Sequence, residues 1–169
     1  MVEVVVAKLA VDATTRAYVV ILQEKDGNRV LPIWIGQPEA ESIIIEMHRI
    51  PRSRPMTHDL CRSLITALGA SLARVEITRI EERTYYADMQ LERDGERLRV
   101  DARPSDSIAI ALRFGAPIFA DEGLLNDAGE DWEPGEPGEP PSDVEELSAE
   151  RLKAYLEGLR PEDFGKFTP

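Results

Sequence analysis

Cysteine is almost missing from this chain: Cys61 is the single one among 169 residues, so no disulfide can form within it. Lying on the apolar side of an expected helix, it reads as a core residue in a reducing compartment and not as a nucleophile. Long apolar runs are absent too. No stretch nears the roughly 20 apolar residues that a membrane helix needs. Met1-Val-Glu-Val-Val-Val lacks the basic start and cleavage site of a secretory signal, so a cytoplasmic location with no membrane contact is expected. There is no Gly-rich phosphate loop, CxxC pair or HExxH helix, which argues against P-loop nucleotide hydrolysis and structural zinc.

Acidic charge is plentiful but unevenly spread. The net charge is −12, yet residues 1–120 hold 16 Lys and Arg against 17 Asp and Glu, while residues 121–169 hold 4 against 15. The acidity belongs to the C-terminal part. Residues 126–147 are rich in Pro, Gly and like charge and read as an extended linker after a domain at 1–125. Within 148–169, Ser148 caps an expected short helix whose Leu152, Tyr155, Leu156 and Leu159 form one apolar stripe before Pro161. Such a stripe docks on the parent domain, on a second subunit or on a protein partner.

In residues 1–120 the hydrophobic period switches between two and 3.6. Val2–Val11, Arg16–Leu22 and Arg29–Ile35 read as strands, with Asp26-Gly27-Asn28 as a hairpin turn. Pro38 then opens a helix in which Ala40, Ile43, Ile44 and Met47 recur on one face. A second helix, capped by Thr57 and closed by Gly69, presents Leu60, Cys61, Leu64, Ile65 and Leu68. Strands Ser71–Ile80, Thr84–Glu92 and Glu96–Asp101 follow, the last two joined by Asp94-Gly95. Ser105 caps a third helix carrying Ile108, Ala111 and Leu112, and a short strand begins at Pro117. The order predicts an α+β fold: duplicated β-β-β-α units with an inserted helix, a mainly antiparallel sheet covered by helices. Glu41-Ser42-Ile43-Ile44-Ile45 aligns with Asp106-Ser107-Ile108-Ala109-Ile110, consistent with a duplication that turns Glu39 and Asp106 toward a common cleft.

Polar residues cluster at two helix starts, Arg54-Pro-Met-Thr-His-Asp and Asp101-Ala-Arg-Pro-Ser-Asp-Ser. Unpaired N–H groups and the helix dipole favour anions there. His58 is a candidate acid–base group, because histidine changes charge near neutral pH, and Asp59, Asp101 and Asp106 are candidates to orient it or take part in catalysis. Glu39 and Asp106 are candidate ligands for a divalent cation, Mg²⁺ or Mn²⁺. Residues 49–62 contain four Arg and one Asp, making this the distinctly basic region. Arg52, Arg54, Arg103 and Ser105 are candidate phosphate contacts. Plainer readings stand beside these: acids in first helical turns satisfy the dipole, and Asp101 with Arg103 forms a local ion pair. Trp34, Tyr85 and Tyr86 suit strand packing as well as base stacking.

The blocks Leu31-Pro-Ile-Trp-Ile-Gly with Glu39-Ala40, Arg54 to Leu60, Tyr85-Tyr86-Ala87 and Asp101 to Leu112, in that order, resemble the bifunctional nuclease domain family over about residues 1–125. The resemblance implies a domain credited in some members with cleaving both DNA and RNA. Two functions follow: a nuclease with little sequence preference, assisted by a divalent cation, or a non-catalytic regulatory domain that binds an anionic ligand or a protein partner. The near-neutral 1–120 region and the acidic C-terminal part favour the second, since phosphate binding draws on surplus Lys and Arg. Edge strands of the sheet and the C-terminal stripe suggest a homodimer.

Overall fold

A computed structural model describes residues 1–12, 17–127 and 144–146. Two three-stranded meanders are built in the same way. The first comprises β1 (Val2–Asp12), β2 (Tyr18–Glu24) and β3 (Arg29–Ile35), followed by α1 (Gln37–Met47). After the inserted α2 (Thr57–Ala67) come β4 (Ser71–Glu81), β5 (Thr84–Arg93) and β6 (Glu96–Ala102), followed by α3 (Pro104–Phe114). The α+β fold expected from the alternating periods is therefore present. At the β5–β6 hairpin Asp94 and Gly95 both take positive φ, 53° and 81°, as a two-residue turn that matches strand twist requires. Glu82 and Arg83 (φ 46° and 66°) make the β4–β5 turn without glycine.

What joins the meanders is β7 (Ile118–Ala120), antiparallel to β1 and parallel to β4. The strand order is β6-β5-β4-β7-β1-β2-β3-β8, where β8 is Asn126–Asp127; β9 (Val144–Glu146) pairs with β1 at Ala10–Asp12. Both short strands fall inside the range expected to be linker, and a ladder takes up its two ends. The rest of that range, 128–143 and 147, and the expected C-terminal helix at 148–169 lie outside the described residues.

The core lies between sheet and helices. Leu22, Leu31, Ile43, Ile44, Ile77 and Ile108 are fully buried, and α3 packs on β4 and β5 and against both α1 and α2. Two expected caps are displaced. α2 starts after Met56, whose N–H is held by the Asp59 carboxylate at 2.8 Å, so Thr57 is already the first helical residue. α3 starts after Arg103 with Pro104 in its first turn, which puts Ser105 inside the helix and buries it. The apolar face expected for α2 also splits. Cys61 and Ile65 pack against the core, but Leu60, Leu64 and Leu68 are 53%, 53% and 69% exposed, and Met56 extends that ridge at 41%. No residue of α2 is buried.

Candidate active site

α1, α2 and α3 meet where their first turns converge, and the side chains there form two linked chains of polar contacts. In the first, the His58 imidazole bridges two helices: Nδ1 lies 2.7 Å from Ser42 Oγ on α1, and Nε2 lies 3.0 Å from Asp106 Oδ1 on α3. Asp106 in turn receives Arg103 Nε at 2.6 Å and Nη2 at 3.0 Å, and the same Nη2 lies 2.9 Å from Glu39 Oε1. Burial by itself raises the Asp106 carboxyl, but hydrogen bonds and charge from Arg103 and His58 outweigh it and hold the group below its ordinary range. An ionised Asp106 only accepts, so Nε2 carries a hydrogen; in the neutral imidazole Nδ1 then accepts from the Ser42 hydroxyl.

The second chain runs from Glu46 through Arg52 (3.1 Å) to Asp59 (3.3 Å) and on to Arg113 Nε (2.7 Å). Arg113, with its side chain only 1% exposed, also donates to the carbonyls of Ala109 (2.8 Å) and Ser42 (3.3 Å). Ser42 thus joins both chains, through its hydroxyl and its carbonyl. Asp59 too is driven up by burial, yet the Met56 N–H and the Arg113 and Arg52 guanidinium groups bring it below its ordinary value. Beside Asp59 lies a cavity of about 670 Å³ whose walls include Arg52, Arg54, Arg62, Ser63 and Thr66.

Of the residues singled out in the sequence, His58, Asp106, Glu39 and Arg103 come together, and Asp59 and Arg52 sit on the adjoining chain. Arg54 lines the cavity. Asp101 stands apart: it is exposed on β6, opposite Asp88 of β5. Ser105, buried in the first turn of α3, offers nothing to a ligand at the surface. Glu39 and Asp106 do approach each other, but they converge on the Arg103 guanidinium. Among the described residues no group of three His, Cys, Asp or Glu side chains is placed to hold a metal ion. Ser42 and Arg113 were not recognisable as site residues. The alignment of Glu41-Ser42 with Asp106-Ser107 was the one available signal for Ser42, and an Arg at the end of an apolar helix reads as a solvated C-terminal charge.

The bifunctional nuclease domain family matches residues 20–133. An uncharacterized protein of Mycobacterium tuberculosis is 43% identical over 162 residues, 96% of this chain and 97% of the relative. Bifunctional nuclease 2 of Arabidopsis thaliana is 26% identical over 103 residues, and bifunctional nuclease 1 of Oryza sativa subsp. japonica is 27% identical over 105. These alignments cover 59% and 60% of this chain but only 31% and 32% of the plant proteins. With the family blocks falling on the converging first turns that hold His58, Glu39 and Asp106, the chain belongs to the bifunctional nuclease domain family.

Proposed function

We propose that this chain is a nuclease that hydrolyses phosphodiester bonds of DNA and RNA with little sequence preference. The observation that supports this most is the imidazole of His58, fixed between a hydroxyl and an ionised carboxylate that also receives Arg103. His58 is the acid–base group in this reading, with Asp106 fixing its tautomer. When the Ser42 hydroxyl turns away, Nδ1 takes a proton from an attacking water. The water oxygen bonds phosphorus, the bond to the sugar oxygen breaks, and the imidazolium returns a proton to the departing oxygen. Arg103, 66% exposed, faces the charge that develops on the phosphorane, and Arg52 and Arg54 contact flanking phosphates. Asp59 serves by holding Arg52 and Arg113 in place.

The expected Mg²⁺ or Mn²⁺ has no ready donor set among the described residues. Glu39 and Asp106 are both engaged by Arg103, which supplies the positive charge between them. The proposal includes a cytoplasmic location and a homodimer formed at the outer edge of β6, where Leu98 and Val100 are 40% and 37% exposed. No helix among the described residues is long and apolar enough to cross a membrane. The second reading, a regulatory domain that binds an anionic ligand, is favoured by the internal pairing of the whole Glu39–Arg103–Asp106–His58 chain.

The test is a purified-protein assay on labelled DNA and RNA with Mg²⁺, Mn²⁺ or EDTA, beside His58→Ala and Asp106→Asn. Both variants, still folded, should lose about 10²-fold or more on both substrates. Activity that survives in both would retire the site, and oligonucleotide binding without any turnover would establish the second reading.

A further inference from the structure

We infer that the exposed ridge of α2 is the docking site of the chain's own C-terminal segment, residues 148–159. This rests on surface and topology and is independent of the nuclease reading. Met56, Leu60, Leu64 and Leu68 lie four apart, so they form one continuous apolar row about 18 Å long on a helix that buries none of its residues. A helix whose apolar row faces water lacks the contact that normally stabilises it. The sequence carries a second such row: Leu152, Tyr155, Leu156 and Leu159, spaced for one face of a helix.

Topology brings the two together. β1 pairs with β7 at Val2–Ala120 and Val4–Ile118, and β7 runs parallel to β4, so going from Val2 to Asp12 leads toward Ser71. That is the end of the sheet where α2 gives way to β4 through Gly69 and Ala70. β9, opposite Ala10–Asp12, therefore places Val144–Glu146 at this same end of the sheet, where Leu68 stands. Five residues lie between Glu146 and Leu152, a reach of at most about 20 Å.

Charge selects this occupant over a second copy. One flank of α2 borders the cavity with Arg52, Arg54 and Arg62, and Arg54 and Arg62 have no carboxylate partner among the described residues. In an antiparallel twofold pair each flank meets its own image, so that arginine row would face arginines. Residues 148–159 hold Glu150 and Glu157 against Arg151 and Lys153, so they add no net positive charge beside that arginine row.

The experiment uses the full chain with Cys61→Ser and paired cysteines Leu60→Cys and Leu156→Cys. Mild oxidation should give a disulfide within one chain, visible as a faster-migrating monomer on non-reducing gels and absent from each single-cysteine variant. In the chain without added cysteines, Leu156→Asp should speed hydrogen exchange in α2 residues 60–68 about tenfold while β1–β3 exchange stays unchanged. Disulfide-linked dimers instead of cross-linked monomer would assign the ridge to a second copy and overturn the proposal. So would failure to cross-link together with unaltered α2 exchange.

Discussion

Replacing Asp59 by Ala isolates the energetics of the buried arginine. Arg113 has a side chain only 1% exposed, and its charge is answered by Asp59 at 2.7 Å and by the carbonyls of Ala109 and Ser42. Removing one member of a buried pair leaves the other charge desolvated and uncompensated, a cost of about 3–5 kcal/mol. Because the Asp59 side chain keeps 17% exposure, water reaches the vacated position and the lower end applies, so about 3 kcal/mol is expected. A loss of that size lowers Tm by roughly 6–12 °C at this chain length. Urea unfolding at pH 7 measures it as a shift in midpoint at constant slope. Asp59→Asn should cost less, since an amide oxygen can still accept from the Met56 N–H. The double variant Asp59→Leu/Arg113→Met should cost less than Asp59→Ala, because no buried charge is then left alone. A loss under about 1 kcal/mol in Asp59→Ala, or additivity in the double variant, would refute the reasoning.

The other outcomes concern the imidazole and its neighbours. Ser42→Ala removes the hydroxyl at His58 Nδ1; the imidazole ¹⁵N shifts should report a changed environment there, and turnover on DNA and RNA should not fall, because in the proposed step that hydroxyl leaves Nδ1 before a proton is taken up. Asp101→Asn, on exposed β6 away from the cluster, should leave activity within about twofold of the parent. The Asp106 carboxyl is lowered in the fold, so its contribution to stability is complete above the unfolded-state value near pH 3.9 and fades as pH drops through the lower folded value. The stability gap between the parent and Asp106→Asn should therefore narrow progressively as pH falls below about 4, as read by chemical denaturation.

Much of the architecture could be read from local signals. Ala40, Ile43 and Ile44 are buried on α1 as their spacing required, and Asp94-Gly95 makes the hairpin its sequence announces. The approach of Glu39 to Asp106 also followed from the repeated unit, although the guanidinium between them did not. What escaped depends on distant pairing. Nothing near Ile118 says that three residues will slot between β1 and β4. The burial of Arg113 depends on Asp59, 54 positions away. The exposure of the α2 ridge is hidden for a related reason: an apolar row looks alike in sequence whether it faces the core or water. Only the placement of α3 decides that Cys61 and Ile65 turn inward while Leu60 and Leu64 do not.

β7 is only three residues long, yet it alone stitches one meander to the other within the sheet order. Above this seam the charges divide between the halves: Glu39 and Ser42 ride on the helix after the first meander, Arg103 and Asp106 on the helix after the second. Fraying of that short stitch would pull the hydroxyl and the carboxylate apart from opposite sides of the imidazole. Assembly of the His58 cluster and closure of the two halves are thus one event, so a chain that has folded only one meander holds only half of its side chains.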